Sequence, residues 1–195
     1  MQPLTLDDVQ SLAVYARERE EFRRQVIGLK QARRISVGSR LTFLFENRLT
    51  VLFQVQEMLR AECITRPEAI REELDVYNGL LPTEDELSAT MFIEIEETDR
   101  IKPELDRFLG IDAPGRVWIA LGDGERIVAV FEPGHSKEDK IAAVHYVRFP
   151  FSRTQRETFL RTTLPVQLVV QHGDYRYDTA LSPVMLESLR SDLRS

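Results

Sequence analysis

Five polar residues lie in surroundings that are otherwise strongly apolar, and their types could support chemistry. Glu46 ends a strand-like run, Arg48, Gln56 and Arg60 interrupt the helix pattern that follows, and His145 stands on an apolar strand face. Buried amides and charges are costly unless they are paired, so these side chains need partners. Two interpretations stay open. Arg48, Gln56 and Arg60 tie neighbouring elements together, with the arginines reaching water, or they line a polar pocket in which Arg48 and Arg60 hold an anion or a carboxylate. His145 is either a core histidine with one good partner or a member of the same pocket, together with Glu46.

Acidic residues on a second strand extend the pocket hypothesis. Glu94 and Glu96 are two residues apart and therefore lie on one side of a strand. If they met Glu46, Glu57 and His145, the group could bind a divalent metal or perform acid–base chemistry. A solvated outer strand face explains the same pair without any site. The sequence therefore leaves the metal and any cofactor unknown.

The remaining metal-ligating and nucleophilic residues give no pattern of their own. His135 and His172 lie in charged loops, where either could be a ligand but both are explained as surface residues. Cys63, the single cysteine, continues the apolar arc of the helix, which predicts a buried and inert thiol. There is no Gly-rich phosphate loop, nucleophile elbow or paired-cysteine site. Whether the protein is an enzyme is left open.

A basic stretch near the N-terminus suggests a face for an anionic partner. From Arg23 to Arg40 the chain contains basic residues and no acid. The alternative is a solvated helix side that pairs with acids elsewhere in the chain. The residues of this candidate partner face are Arg23, Arg24, Lys30, Arg33, Arg34 and Arg40.

Composition narrows the function classes. The 195 residues carry a formal net charge of −6, which argues against general nucleic-acid binding and favours a soluble acidic protein. The single cysteine allows no intramolecular disulfide and favours a cytoplasmic location. No apolar run has the length of a membrane span, and the first residues lack the features of a signal peptide. The expected partner is therefore another protein, and a homo-oligomer is also open.

A strand and a helix between Leu41 and Ile64 must position the candidate residues. Alternation predicts a strand over residues 41–45, and Asn47 is a favourable N-cap because its side-chain oxygen can accept from first-turn N–H groups. The helix that follows is apolar nearly all round, which predicts burial on several sides. The pattern leaves only a narrow water-facing stripe, made of Thr50, Gln54, Glu57 and Ala61.

The elements on either side predict an α+β fold, a mainly antiparallel sheet packed with helices behind an N-terminal helical and hairpin layer. We expect one domain over residues 1–195, with the helical and hairpin part at about 1–80 and the sheet-rich part at about 81–195. The pattern predicts strands at Ala89–Glu97 and Ile141–Phe151, central strands at Val117–Leu121 and Ile127–Phe131, and a polar loop at Gln171–Tyr177.

Several segments resemble an uncharacterised bacterial family, a domain of unknown function. They are YARERE, EFRRQVIGLK, RRISVG, LTFLFENR, FQVQEMLRAE, EELDVYNGLLP, MFIEIEE and VHYVRF, in this order along most of the chain. The ENR…QVQEMLR part is the most specific. The resemblance implies no activity and no catalytic residues. It implies an association with rubrerythrin-like, iron-containing proteins encoded nearby, and so a link to oxidative-stress or redox physiology.

Two hypotheses of function follow. The first is a non-catalytic accessory or binding protein, linked to an iron-dependent redox system and using the basic segment beside the central helix. The alternative is an enzyme or metalloprotein with Glu46, Arg48, Gln56, Arg60 and His145 around one pocket.

Overall fold

The computed structural model describes residues 1–122, 124–134, 136–137 and 140–194. Asp123, His135 and Glu138 lie outside the described residues. The described helices are α1 (Leu12–Gln31), α2 (Arg48–Ala61), α3 (Pro67–Asn78), α4 (Ile101–Asp106), α5 (Arg153–Arg161) and α6 (Pro183–Arg194), with short 3-10 helices at Leu6–Asp8 and Thr98–Arg100. None of these helices is long and apolar enough to cross a membrane.

The described strands form two antiparallel sheets and a small ribbon. Strand order is β1-β2-β3-β9-β6 in the five-stranded sheet, β11-β10-β4-β5 in the four-stranded sheet and β7-β8 in the ribbon. The strands are β1 (Arg34–Val37), β2 (Leu41–Phe45), β3 (Glu86–Ile93), β4 (Val117–Ala120), β5 (Arg126–Val128), β6 (Val130–Phe131), β7 (Ser136–Lys137), β8 (Lys140–Ile141), β9 (Val144–Pro150), β10 (Gln167–His172) and β11 (Tyr175–Ala180). The chain has an α+β fold, as the element order predicts.

The five-stranded sheet lies between two hydrophobic cores. One face, with Phe43, Met91 and Phe149, packs against the four-stranded sheet. On the other face, Tyr146 packs against a core built from α2, α3 and the first residues of the chain. Both parts expected from the sequence contribute to this sheet, because β1 and β2 come from the first and β3, β6 and β9 from the second.

The strand and helix at the centre form as the sequence predicts. β2 is buried along its whole length. Asn47 caps α2, its Oδ1 accepting from the N–H groups of Leu49 and Thr50 at 3.1 and 3.0 Å. Val51, Val55 and Leu59 are fully buried on one side of the helix. The helix is thus covered on several sides, and its polar members need the partners described below.

Several predicted elements are placed differently by the structure. β3 begins and ends earlier than predicted and is buried on both faces over most of its length, since it lies between the two cores. Strands β5 and β6 are sheet edges and not central strands. The predicted polar loop at 171–177 is largely wrong, because β10 turns at Gly173 into β11. Only Tyr175 is buried along β11, so the strand lacks an apolar alternation.

Two predictions of exposure on α2 are wrong. Thr50, expected in a water-facing stripe, is completely buried, and the Glu46 carboxylate accepts the hydrogen bond that its hydroxyl needs there. Cys63, expected to be buried, is exposed. The helix ends at Ala61, and Cys63 has a φ of 54°, so the helical spacing does not continue to this residue.

Candidate functional site

The candidate site is the groove along α2 in which the first residues of the chain lie. We call residues 1–10 the N-terminal segment and the trough that they occupy the α2 groove. Three cavities flank this segment, with volumes of about 1030, 480 and 250 Å³. The largest lies at the first turn of α2 and has the size of a small-molecule or peptide site.

Arg48 and Gln56 both hold the N-terminal segment. Arg48 Nη2 lies 2.6 Å from Asp8 Oδ1, and its Nε donates to the carbonyl of Gln2 at 3.3 Å. The hydrogen bond from Arg48, together with the Thr5 N–H, lowers the pKa of Asp8 below its usual value. Gln56, 1% exposed, accepts from the Gln10 N–H at 2.6 Å. Both residues therefore connect α2 to the N-terminal segment. This agrees with the interpretation that the polar residues of the helix tie neighbouring elements together.

Arg60 lies in a different cluster, centred on Glu57. It is half-exposed and donates to Glu57 at 3.3 Å. Arg19, from α1, pairs with both oxygens of Glu57 at 2.8 Å, and Tyr15 Oη donates to the same carboxylate at 2.8 Å. The hydrogen bonds from Arg19 are the largest reason that the pKa of Glu57 falls to about 2. This cluster joins α1 to α2.

We expect Glu57 to account for part of the acid sensitivity of the fold. Its folded pKa of about 2 lies below the ordinary value of 4.5, so its contribution is complete above about pH 4.5 and is lost as pH falls toward 2. The full shift corresponds to roughly 3 kcal/mol, which partial exposure reduces to about 1–2 kcal/mol. We expect urea unfolding at a series of pH values to show that the free energy of unfolding falls less steeply below pH 4.5 for Glu57→Gln than for the wild type.

A matched control for this experiment is Glu68→Gln on α3, whose side chain is 76% exposed. Its free energy of unfolding should fall with pH as that of the wild type does. If Glu57→Gln also follows the wild type between about pH 4.5 and 2.5, the Arg19–Glu57 contact does not stabilise the fold.

Glu46 is buried beneath α2 in a cluster of hydroxyl groups. It is 2% exposed. Thr50 Oγ1 donates to its Oε2 at 2.5 Å, and Thr90 Oγ1 donates to its Oε1 at 2.7 Å. Thr90 lies on β3, so the carboxylate joins the helix to the sheet. Both oxygens of Glu46 thus accept hydrogen bonds from neighbouring elements.

His145 faces away from Glu46. In the register of β3 and β9, His145 pairs with Met91 and Tyr146 pairs with Thr90, and successive side chains point to opposite faces. His145 is therefore in the core between the sheets, where its Nε2 is 2.9 Å from the Ala142 carbonyl oxygen and its ring packs edge-on against Phe131.

The five predicted pocket residues do not converge on one point. Glu46 and His145 occupy opposite faces of the five-stranded sheet. Arg48 and Arg60 belong to the first and last turns of α2, so about 18 Å separates them along the helix axis. The structure instead distributes these residues among a hydroxyl cluster, the N-terminal segment, the Glu57 cluster and the inter-sheet core.

Arg33 corrects the predicted basic face. Its side chain is 1% exposed and lies between β2 and α6. Its Nε donates to the Phe45 carbonyl at 2.8 Å, Nη1 donates to Ser188 Oγ at 2.9 Å, and Nη2 pairs with Asp192. A residue enclosed in this way cannot contribute to a partner surface.

The other basic residues of the segment lie on different surfaces. Arg23 and Arg24 are exposed on α1, and Arg24 pairs with Glu21. Lys30 lies 5.3 Å above the ring of Phe53. Arg34 and Arg40 form ion pairs with acidic residues of the sheet-rich part. Arg34 pairs with Glu94 at 2.5 Å, and Arg40 pairs with Glu97 at 2.8 Å.

Asp192 is a member of the site that the sequence analysis missed. It lines the largest cavity, its side chain is 7% exposed, and burial raises its pKa while Arg33 acts in the opposite direction. Ser188 and Asp192 are four residues apart on α6 and form a polar stripe beside the Leu189 and Leu193 ridge. That stripe is the available sequence signal, although the apolar ridge beside it is much stronger.

The other candidate ligands are scattered. Glu94 and Glu96 are exposed, and Glu94 also accepts from Thr42 at 2.8 Å. His172 ends β10, stacks on Phe108 and has a pKa lowered by burial. Among the described residues, no group of three His, Cys, Asp or Glu side chains is arranged to hold a metal ion.

Comparison with known proteins places this architecture in a family. A family model described as "Protein of unknown function (DUF3501)" matches residues 3–193. The chain belongs to the DUF3501 family. A crystal structure of a protein of unknown function from Burkholderia pseudomallei is similar to this DUF3501 chain, with a TM-score of 0.90, 31% identity, and coverage of 98% of this chain and 100% of that one. The curated proteins include no significant match.

The family match confirms the resemblance drawn from the sequence, which is to an uncharacterised domain family. It assigns neither an activity nor a site to DUF3501 proteins.

Proposed function

We propose that this DUF3501 chain is a non-catalytic accessory protein that binds a protein partner in the α2 groove. The observation that carries the proposal is the cavity of about 1030 Å³ at the first turn of α2. Its walls combine apolar residues, such as Leu81 and Pro82, with the charged side chains of Arg48 and Asp192. Mostly apolar walls with a few placed charges are typical of binding sites.

The partner class proposed for the first test is an iron-containing, rubrerythrin-like protein. Support for this choice comes only from the family resemblance. A cytoplasmic location is part of the same proposal, and the net charge of −6 favours a protein partner over nucleic acid.

The exposed part of the basic segment is a competing contact, so the test must separate two surfaces. A photo-crosslinking amino acid at Glu84, on the rim of the large cavity, reports on the α2 groove. The same amino acid at Arg24, exposed on α1, reports on the basic segment. Irradiation in extracts of the native host, and with a purified rubrerythrin-like protein, should give a specific adduct at Glu84.

An adduct that forms at Arg24 and not at Glu84 would move the contact to the basic segment. If neither position gives an adduct, binding through the α2 groove and binding through the basic segment are both contradicted. The matched position is Glu68 on α3, which is exposed and away from the large cavity, and it should stay without adduct.

An enzyme or metalloprotein remains the second candidate, and the observation in its favour is Asp192. A carboxyl with a raised pKa at the wall of a cavity is the kind of group that performs acid–base chemistry. Elemental analysis of protein purified without a tag tests the metalloprotein form. Stoichiometric metal that is lost in Asp192→Asn would favour this candidate over the accessory protein.

A further inference from the structure

The N-terminal segment is held through its backbone by two side-chain amides. Asn78, at the end of α3, accepts from the Leu4 N–H at 2.7 Å and donates from Nδ2 to the Leu4 carbonyl at 3.0 Å. Gln56, on α2, accepts from the Gln10 N–H at 2.6 Å and donates from Nε2 to the Gln10 carbonyl at 3.4 Å. Each amide pairs with one residue's N–H and C=O as a neighbouring strand would. Such contacts recognise a peptide without reading its side chains.

Two side chains of the segment supply specificity. Leu4 is 3% exposed and is buried in the core of Val55 and Leu74. Asp8 uses Oδ2 to accept from the Thr5 N–H at 2.8 Å, which closes a turn and presents Oδ1 to Arg48. The segment therefore presents to the α2 groove an apolar anchor followed, four residues later, by a carboxylate.

The groove is wider than its occupant. The three flanking cavities, of about 1030, 480 and 250 Å³, are all lined in part by residues 1–12. These cavities are partly open to solvent, so the groove beside the segment is accessible from outside the protein, and an occupant of similar chemistry with larger side chains would fit.

We propose that the α2 groove is a peptide-binding site and that residues 2–10 are its intramolecular occupant. The external ligand is a short segment of a partner chain with the same chemistry: an apolar anchor, a turn, and an acid four residues after the anchor. The inference rests on the proposed function, since it names the form in which a partner enters the α2 groove. The internal segment competes with that ligand, so its release controls binding.

The probe is a fluorescent peptide with the sequence of residues 2–10, QPLTLDDVQ, added to the full chain. Leu4→Ala weakens the internal segment and leaves the groove residues unchanged. Fluorescence anisotropy should show the peptide binding Leu4→Ala at least about 10-fold more tightly than wild type, because competition from the tethered segment is reduced. Gln2→Ala, at an exposed position of the segment, should bind like wild type.

Two changes should remove the binding gained by Leu4→Ala. Adding Asn78→Leu removes one amide clamp from the groove, and a peptide with Asn in place of Asp8 loses the partner of Arg48. Equal affinity of the original and the changed peptide would overturn the proposed recognition of the acid.

Hydrogen exchange of the unmodified chain gives a test that needs no variant. The Leu4 and Gln10 amides should exchange at least about 100-fold faster than the Met91 amide of β3, because the segment opens while the sheets stay folded. Equal exchange rates would mean that residues 1–10 leave only with global unfolding, and would overturn the inference.

The outcomes separate this inference from the function on which it rests. If Leu4→Ala does not bind the peptide but the Glu84 crosslink captures a partner, the peptide inference fails and the α2 groove remains the contact. If light scattering finds Leu4→Ala as a dimer that exchanges N-terminal segments, the occupant is a second copy and the inference is also overturned.

Discussion

Replacing Arg33 by alanine is expected to lower the free energy of unfolding by about 3–5 kcal/mol, the usual cost of breaking a buried ion pair from one side. The guanidinium is 1% exposed and donates to Phe45, Glu46 and Ser188 besides pairing with Asp192. Its removal takes a donor away from each of those acceptors and leaves the Asp192 carboxylate in a site where burial already raises its pKa. Urea unfolding followed by circular dichroism measures the loss.

Two further variants show whether the geometry or the charge of Arg33 matters. Arg33→Lys keeps the positive charge but not the planar set of donors, so we expect most of the loss to remain. Arg23→Ala, at an exposed position on α1, should change the free energy of unfolding by less than about 0.5 kcal/mol. A loss below about 1 kcal/mol for Arg33→Ala would show that this arginine is not a structural tie. Surface tests of the basic segment should therefore use Arg23 or Arg24.

The strand and helix at the centre were predictable because their signals are local. The alternation in 41–45, the cap at Asn47 and the apolar surface of α2 each depend on neighbouring residues. β11 lacks such a local signal, because only Tyr175 is buried and the other side chains show no apolar alternation. Its pairing with β10, and the Tyr175 hydroxyl that donates to the Val37 carbonyl, are long-range facts.

The site was predictable only in part, because its partners are distant in the sequence. The apolar surroundings of Arg48 and Gln56 showed that both residues need partners. Those partners are Asp8 and Gln10, about 40 or more residues earlier, and no local pattern connects them. Asn78 has the appearance of an ordinary residue at the end of a helix, just before Gly79. Composition and spacing can thus indicate a need for contact without naming the element that meets it.

The hydroxyl cluster at Glu46 gives the second large effect that we expect. Glu46→Ala should lower the free energy of unfolding by about 3 kcal/mol, since hydrogen bonds to a carboxylate contribute roughly 1.5–3 kcal/mol each. The Thr90 hydroxyl would lose its acceptor, and the Thr50 hydroxyl would keep only the Asn47 carbonyl. Thr90→Val, which keeps the shape and removes one donor, should cost less.

The double variant Glu46→Ala/Thr90→Val decides whether the two residues act as a pair. If Thr90 Oγ1 donates to Glu46 as the 2.7 Å contact indicates, the double variant should be less destabilised than the sum of the single variants, by about 1.5–3 kcal/mol. Strictly additive losses would mean that the contact contributes nothing. A coupled pair accounts for the burial of Glu46 as a link between α2 and β3. The Glu46 carboxylate then holds α2 in position against the sheet, and the proposed partner contacts Arg48, Gln56 and Asn78.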